Sequence, residues 1–326
     1  MKPESSRARA PTSPDARTAH APPPPAGQRA RSRRNQRLAL LALAAMALIW
    51  GYNWVVMKKV LAYVGPFNFS ALRTLLGVAA LFVLLPVMRQ SIRLSLDLRG
   101  WLRVALLGVL QTGVFAVLMQ SALLQGGVGK TSILVYTMPF WVIALAWATF
   151  GERIRGLQWL ALAMAAGGLV LVLEPWGVRG SYFSEALAIG AGLAWALATI
   201  VAKWIKRDYE IGVLQLTTWQ MVFGAVALCI SIWVVPERPI DPAPYFYIAL
   251  AYNAVLATGL AWLLWLFALQ HLPAGIAGMT ALATPVIGVL SGWLELGEQP
   301  GGFELGGMVL IGAALALVSL RAMARR

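Results

Sequence analysis

The feature that most constrains this chain is a succession of apolar segments, each about twenty residues long, that starts at Leu38 and is broken only by short polar stretches. Twenty helical residues rising 1.5 Å each cover the roughly 30 Å of a bilayer's hydrocarbon core. The segments fall near 38–57, 68–87, 102–122, 132–150, 156–173, 184–202, 214–234, 245–267, 275–293 and 303–321. Gly and Pro recur inside them, as lipid-embedded helices tolerate. Only 12% of residues are charged, against the quarter or so that a soluble shell of this size needs. Lipid is therefore the expected solvent, and the fold class predicted is an all-α polytopic membrane protein of ten transmembrane helices. No break between segments is long enough to hold a soluble domain, so whatever the protein does must happen in the bundle or at its rims.

The net charge of +14 does not point to nucleic acid. Nine of the 27 Lys and Arg lie in the first 37 residues, and most of the others sit in short loops, which is a topology signal. With the basic N-terminus inside, the cytoplasmic loops and C-terminus hold twelve cations beyond the tail, from Arg89 to Arg326. The opposite side holds five: Lys58, Lys59, Lys130, Arg179 and Arg238. Both termini are then cytoplasmic in a bacterial-type inner membrane. Residues 1–36 are rich in Pro, Ala and Arg and have almost nothing to bury, so they are expected to form a disordered basic tail rather than a cleaved signal peptide, with anionic lipid as one partner. Cys229, the single cysteine, stands in an apolar run and reads as a small core side chain.

The chain also repeats itself. Val109-Leu110-Gln111-Thr112-Gly113 returns as Val255-Leu256-Ala257-Thr258-Gly259, Pro139 as Pro285, and Gly151-Glu152 as Gly297-Glu298, all at an offset of 146 residues. Trp50 and Lys58 return as Trp195 and Lys203 at an offset of 145. Two units follow, 37–177 and 178–326, each with five segments. Because five is odd, the second copy must enter the membrane from the other side. Inverted repeats of this kind are a hallmark of secondary transporters, since each half can take the other's role in inward-open and outward-open states.

The run Trp50 to Asn53 leading to Lys58, the Ala71-Leu72-Arg73 triplet, Pro139 followed by Gly151-Glu152-Arg153, and in the second copy Leu272-Pro273-Ala274-Gly275, Pro285 and Gly297-Glu298 resemble the EamA-type family of drug/metabolite transporters. The resemblance implies a ten-span carrier working by alternating access, with a central cavity lined by spans 1, 3, 4, 6, 8 and 9. It also implies a small-metabolite substrate, such as an amino acid or nucleoside, carried by export or exchange. Small multidrug exporters of the same superfamily rely on a glutamate in span 1, and none stands here.

Polar residues inside the spans are the candidates for contact with a substrate, because burial costs them free energy unless they are satisfied or used. These are Trp50, Tyr52, Asn53, Gln111 and Tyr136 in the first copy and Trp195, Tyr252, Asn253 and Trp262 in the second. For Asn53 the alternative is hydrogen bonding between helices. Pro139 and Pro285 each free a backbone carbonyl, for substrate or only for a kink. Arg73, the one charge well inside a span, reads either as an attractor for anions or as architecture. Glu152 and Glu298 are expected to cap the ends of spans 4 and 9, to pair with nearby Arg or to gate, and Lys203 to anchor a span end at the interface. No Asp or Glu lies mid-span, and His20 and His271 lie outside the spans, so no buried carboxylate relay, metal site or cofactor is expected. The same scarcity argues against an enzyme. Gly126-Gly127-Val128-Gly129-Lys130-Thr131 has only the tail of a phosphate-binding loop and sits on the outer side. A flippase for lipid-linked molecules and a membrane regulatory subunit are the rival readings, and a homodimer is left open.

Overall fold

The structure is a computed structural model that describes residues 26–151, 156–173, 182–272 and 274–324. Every regular element among them is helical. We name the helices α1 (Ala26–Val60), α2 (Pro66–Val87), α3 (Leu98–Gln125), α4 (Val128–Phe150) and α5 (Leu157–Leu173). In the second part they are α6 (Tyr182–Asp208), α7 (Val213–Val234), α8 (Pro244–Ala251, Tyr252–Leu260 and Ala261–His271 in succession), α9 (Ala274–Leu296) and α10 (Gly302–Ala324). Seven of these, α1 to α4 and α6 to α8, are long and apolar enough to cross a membrane; α5 and the apolar parts of α9 and α10 are shorter.

Helix α1 begins at Ala26, eleven residues before the boundary drawn from composition at residue 37. Ala, Arg and Gln are good helix formers, and a helix already nucleated in lipid can extend through such residues at little cost. Residues 1–25 lie outside the described residues.

The repeated pentapeptide has a structural counterpart. Val109–Val114 inside α3 and Tyr252–Leu260 inside α8 are both π-helical, so each copy of the motif sits where its helix carries a wider turn. The Gly-Glu repeat has one too. Gly151 and Gly297 end α4 and α9 in the left-handed region, at φ +63° and +69°. Only glycine takes that conformation without a steric penalty, which is why both copies have it there.

Helix α4 is broken at Tyr136 and Thr137. Pro139 stands in the first turn of the second piece, Met138–Phe150, and supplies no N–H for the Val135 carbonyl. Pro285, its counterpart, lies inside α9 without ending it.

The principal contacts between the two halves form a pattern that survives exchange of the halves. Helix α1 packs on α8 and α9, and α6 on α3 and α4; α2 packs on the π-helical part of α8, and α7 on that of α3. The pairs α2–α7, α4–α9 and α5–α10 map onto themselves. In the α5–α10 pair the helices approach backbone to backbone: a Cβ on Gly307 would stand 2.6 Å from the carbonyl oxygen of Gly168. Close packing through small residues is how helices associate where lipid offers no hydrophobic drive. The largest core cluster joins α1 and α2 to both repeats through Trp54, Val55, Phe69, Leu123, Leu134 and Ile311, among others.

Candidate functional site

A cavity of about 580 Å³ lies between the halves. Its walls come from α1, α2, α3 and α4 on one side and α6, α7, α8 and α9 on the other. From α1 it receives Met46, Trp50, Asn53, Trp54 and Met57. Those positions follow i, i+4, i+7, i+8 and i+11, which is one stripe of a 3.6-residue helix. Opposite them stand Gln111 and Phe115 of α3, Tyr136 of α4, Trp195 of α6 and Trp265 of α8. Phe115 and Trp195 meet edge to face with ring centres 4.8 Å apart, and Trp54 tilts against Tyr136 at 6.4 Å.

Polar groups are few and divide into used and unused. The Trp50 indole N–H donates to the Ala257 carbonyl at 2.9 Å, inside the π-helical turn of α8. Tyr136 is hydrogen-bonded to Thr284, so these two side chains join the break in α4 to α9, the helix that carries Pro285. Asn53 Oδ1, Gln220 Oε1 and Arg73 Nε are buried and have no partner. Arg73 and Lys206 are the charged residues of the lining, and no Asp or Glu lines it among the described residues.

The cavity is not symmetric end to end. It reaches Lys206 and Val213, both exposed, where α6 stops and α7 begins. At the other end the helix termini are tied together. The Glu298 carboxylate accepts from the Val128 and Gly129 amides at 2.5 and 3.3 Å, closing the start of α4 with a side chain from the other half. Lys130 pairs with Glu185, and Lys59 with Glu295, again across the halves. Lys58 donates to the Leu123 and Gly126 carbonyls at 2.5 and 3.0 Å and so caps α3. Glu298 thus caps the start of α4 in the other half, where the expectation had placed it at the end of its own span. Glu152 lies outside the described residues.

Of the residues singled out in the sequence, Trp50, Asn53, Gln111, Tyr136, Trp195 and Arg73 come together on the cavity wall. Three others stand away from it. Tyr52 is exposed and donates to Glu295 at 3.1 Å; Tyr252 donates to the Ile49 carbonyl at 2.8 Å; Asn253 is buried and donates to Ala249 at 3.0 Å. Tyr52 and Tyr252 meet edge to face with ring centres 6.0 Å apart, so they help hold α1 to α8. The Trp262 side chain lies outside the described residues. Lys203 places its ammonium over the Phe150 ring at 4.8 Å. The Val135 carbonyl freed by Pro139 turns toward α6, 3.0 Å from where a Cβ on Gly192 would be. Thr74, Thr217, Met119 and Met221 are among the other lining residues and were not singled out. Only Met and Thr positions on the inward stripe of each helix signalled them.

A bundle of apolar helices around a shared, mostly apolar cavity between two similar halves defines a multi-pass membrane protein of transporter type. The EamA-like transporter family model matches residues 37–174 and again residues 183–320, and the chain belongs to that family. It is similar to the uncharacterized transporter YoaV of Bacillus subtilis (29% identity, covering 80% of this chain and 89% of that one). It is also similar to the probable amino-acid metabolite efflux pumps of Salmonella typhimurium and Escherichia coli. The identities are 27% and 26%, covering 87% and 86% of this chain and 94% and 93% of those proteins. A solved crystal structure shares the fold at a TM-score of 0.61 and 17% identity, covering 88% of this chain and 98% of that one.

Proposed function

We propose that this protein carries a small metabolite, of the amino acid or nucleoside class, across a bacterial inner membrane by alternating access. In this reading the seven long helices and the three shorter apolar ones make ten crossings, arranged as inverted halves at 37–177 and 178–326, with both termini cytoplasmic. The observation that carries it is the shared cavity, bounded at one end by contacts between the halves and reaching solvent at the other. The open end holds Lys206 and lies beside Lys203 and Arg207, the basic side that faces the cytoplasm. The tied end, with Glu298 on α4 and Lys130 on Glu185, is then outside, and the state described is inward-open. The names of the efflux-pump relatives support the amino-acid half of the substrate class.

Purified protein in liposomes, offered amino acids, nucleosides and fluorescent lipids, tests the proposal. Saturable solute uptake is expected. Lipid scrambling without solute uptake would replace the carrier by a flippase. Asn53→Ala removes an unspent amide from the wall and is expected to lower uptake several-fold at unchanged membrane abundance. Unchanged rates would make Asn53 a structural residue.

A further inference from the structure

We infer that Arg73 is the anion-recognition residue of the cavity and that the substrate presents a carboxylate to it. This rests on the carrier reading above and narrows it.

Arg73 stands seven residues into α2, about 10 Å along the helix from Pro66. Its guanidinium stays charged at any physiological pH. It forms no ion pair or hydrogen bond with the described residues, and its Nε is shut off from solvent with no acceptor. A lone charge in such a place is costly to keep, and intramembrane charges are ordinarily paired or functional. Architecture does not account for it. Gln220 stands 147 residues later on α7, the helix that packs on α2, and lines the same cavity. The second half therefore folds with a neutral amide where the first half has a cation.

The surroundings specify the rest of the ligand. Asn53 Oδ1 and Gln220 Oε1 are acceptors without donors, suited to N–H groups on the substrate. A phosphate dianion would meet a single deep cation, one charge short of its own. Trp50, Trp54, Trp195 and Tyr136 offer flat apolar walls. Lys206 at the mouth adds positive potential along the way in. A monocarboxylate with a flat or apolar body and an N–H donor fits all of these groups.

The test uses the full chain in detergent, with quenching of its own indole fluorescence as the binding signal. The probes are phenylalanine, 3-phenylpropionate, phenethylamine and phenyl phosphate. Phenylalanine and 3-phenylpropionate are expected to bind at least tenfold more tightly than phenethylamine and phenyl phosphate. Arg73→Gln, which copies the residue of the second half, should erase the preference for acid over amine, while Arg73→Lys should keep it. Equal binding of acid and amine by the wild type, tighter binding of the phosphate, quenching by none of the four, or an Arg73→Gln protein that still prefers the acid would each overturn the inference. The wild-type comparison stands even if a variant fails to fold. Because the readout is binding, its failure is separate from failure of the carrier reading, which shows as absent solute uptake in liposomes.

Discussion

A polar side chain in an apolar helix must find a partner nearby, and the residues here show how local that search is. Trp50 reaches a carbonyl that a π-helical turn leaves available, 207 positions away in the chain. Its neighbour Tyr52 lies about 200° further round α1, at 100° per residue, and so points to Glu295 and away from the cavity. The stripe from Met46 to Met57 is therefore legible in spacing alone, and taking Trp50 and Tyr52 together because both are polar and in one span was not a guide to the wall. The Ala257 acceptor was not legible at all, since a backbone carbonyl carries no letter. Outside the spans, Asp97 caps α3 and accepts from the Tyr209 hydroxyl at 2.5 Å and from the Gly100 amide at 2.8 Å. These bonds, the phenol's first, hold its carboxyl below the ordinary value of 3.8. A lowered carboxyl pKa adds stability above the unfolded value and loses it as pH falls through the folded one. Wild type is therefore expected to melt above Asp97→Asn by a constant margin from pH 8 to about pH 5, with the margin closing below about pH 4. A margin that grew on acidification, in thermal melts of detergent-solubilised protein, would remove the tie between Asp97 and Tyr209.

At the scale of elements, hydropathy located every described helix to within a few residues, except at the start of α1 and at the C-terminal end of α6, where polar residues continue the helix to Asp208. What hydropathy could not give was the join between helices of different halves. Glu298 closes the N-terminus of α4, and nothing in either local sequence names the other. Loss of a side-chain cap costs a helix about 1 kcal/mol. Glu298→Ala is accordingly expected to loosen the tied end. A reporter thiol at Thr131, which is buried there, in a Cys229→Ala background would then react several-fold faster with a maleimide that cannot cross the membrane. Labelling at the wild-type rate would mean that Glu298 holds nothing shut.

The molecule as a whole is organised by an exchange: α1 to α5 for α6 to α10 leaves the main interfaces in place. That much was legible in the 146-residue offset, because a repeat of whole helices repeats their contacts as well. The departure from symmetry was not, since the ties at one end are single side-chain pairs that the repeat does not copy. Lys130 and Glu185, from opposite halves, meet at the tied end. With both changed to Cys in the Cys229→Ala background and joined by a short bifunctional thiol reagent, solute uptake is expected to fall at least tenfold, and a cleavable linker should restore it on reduction. Full uptake by the joined protein would place the moving parts elsewhere.

The cavity has a consequence for ancestry. Its walls are drawn from both halves, so neither half owns a pocket, and a gene encoding five helices would make only one wall. With the halves inverted as proposed above, such a gene would yield a working site only if its product entered the membrane both ways round and the two orientations met. Fusion into one reading frame fixes the partner and the ratio, and it frees each wall to diverge, which is how a cation can stand at Arg73 while an uncharged amide stands at Gln220.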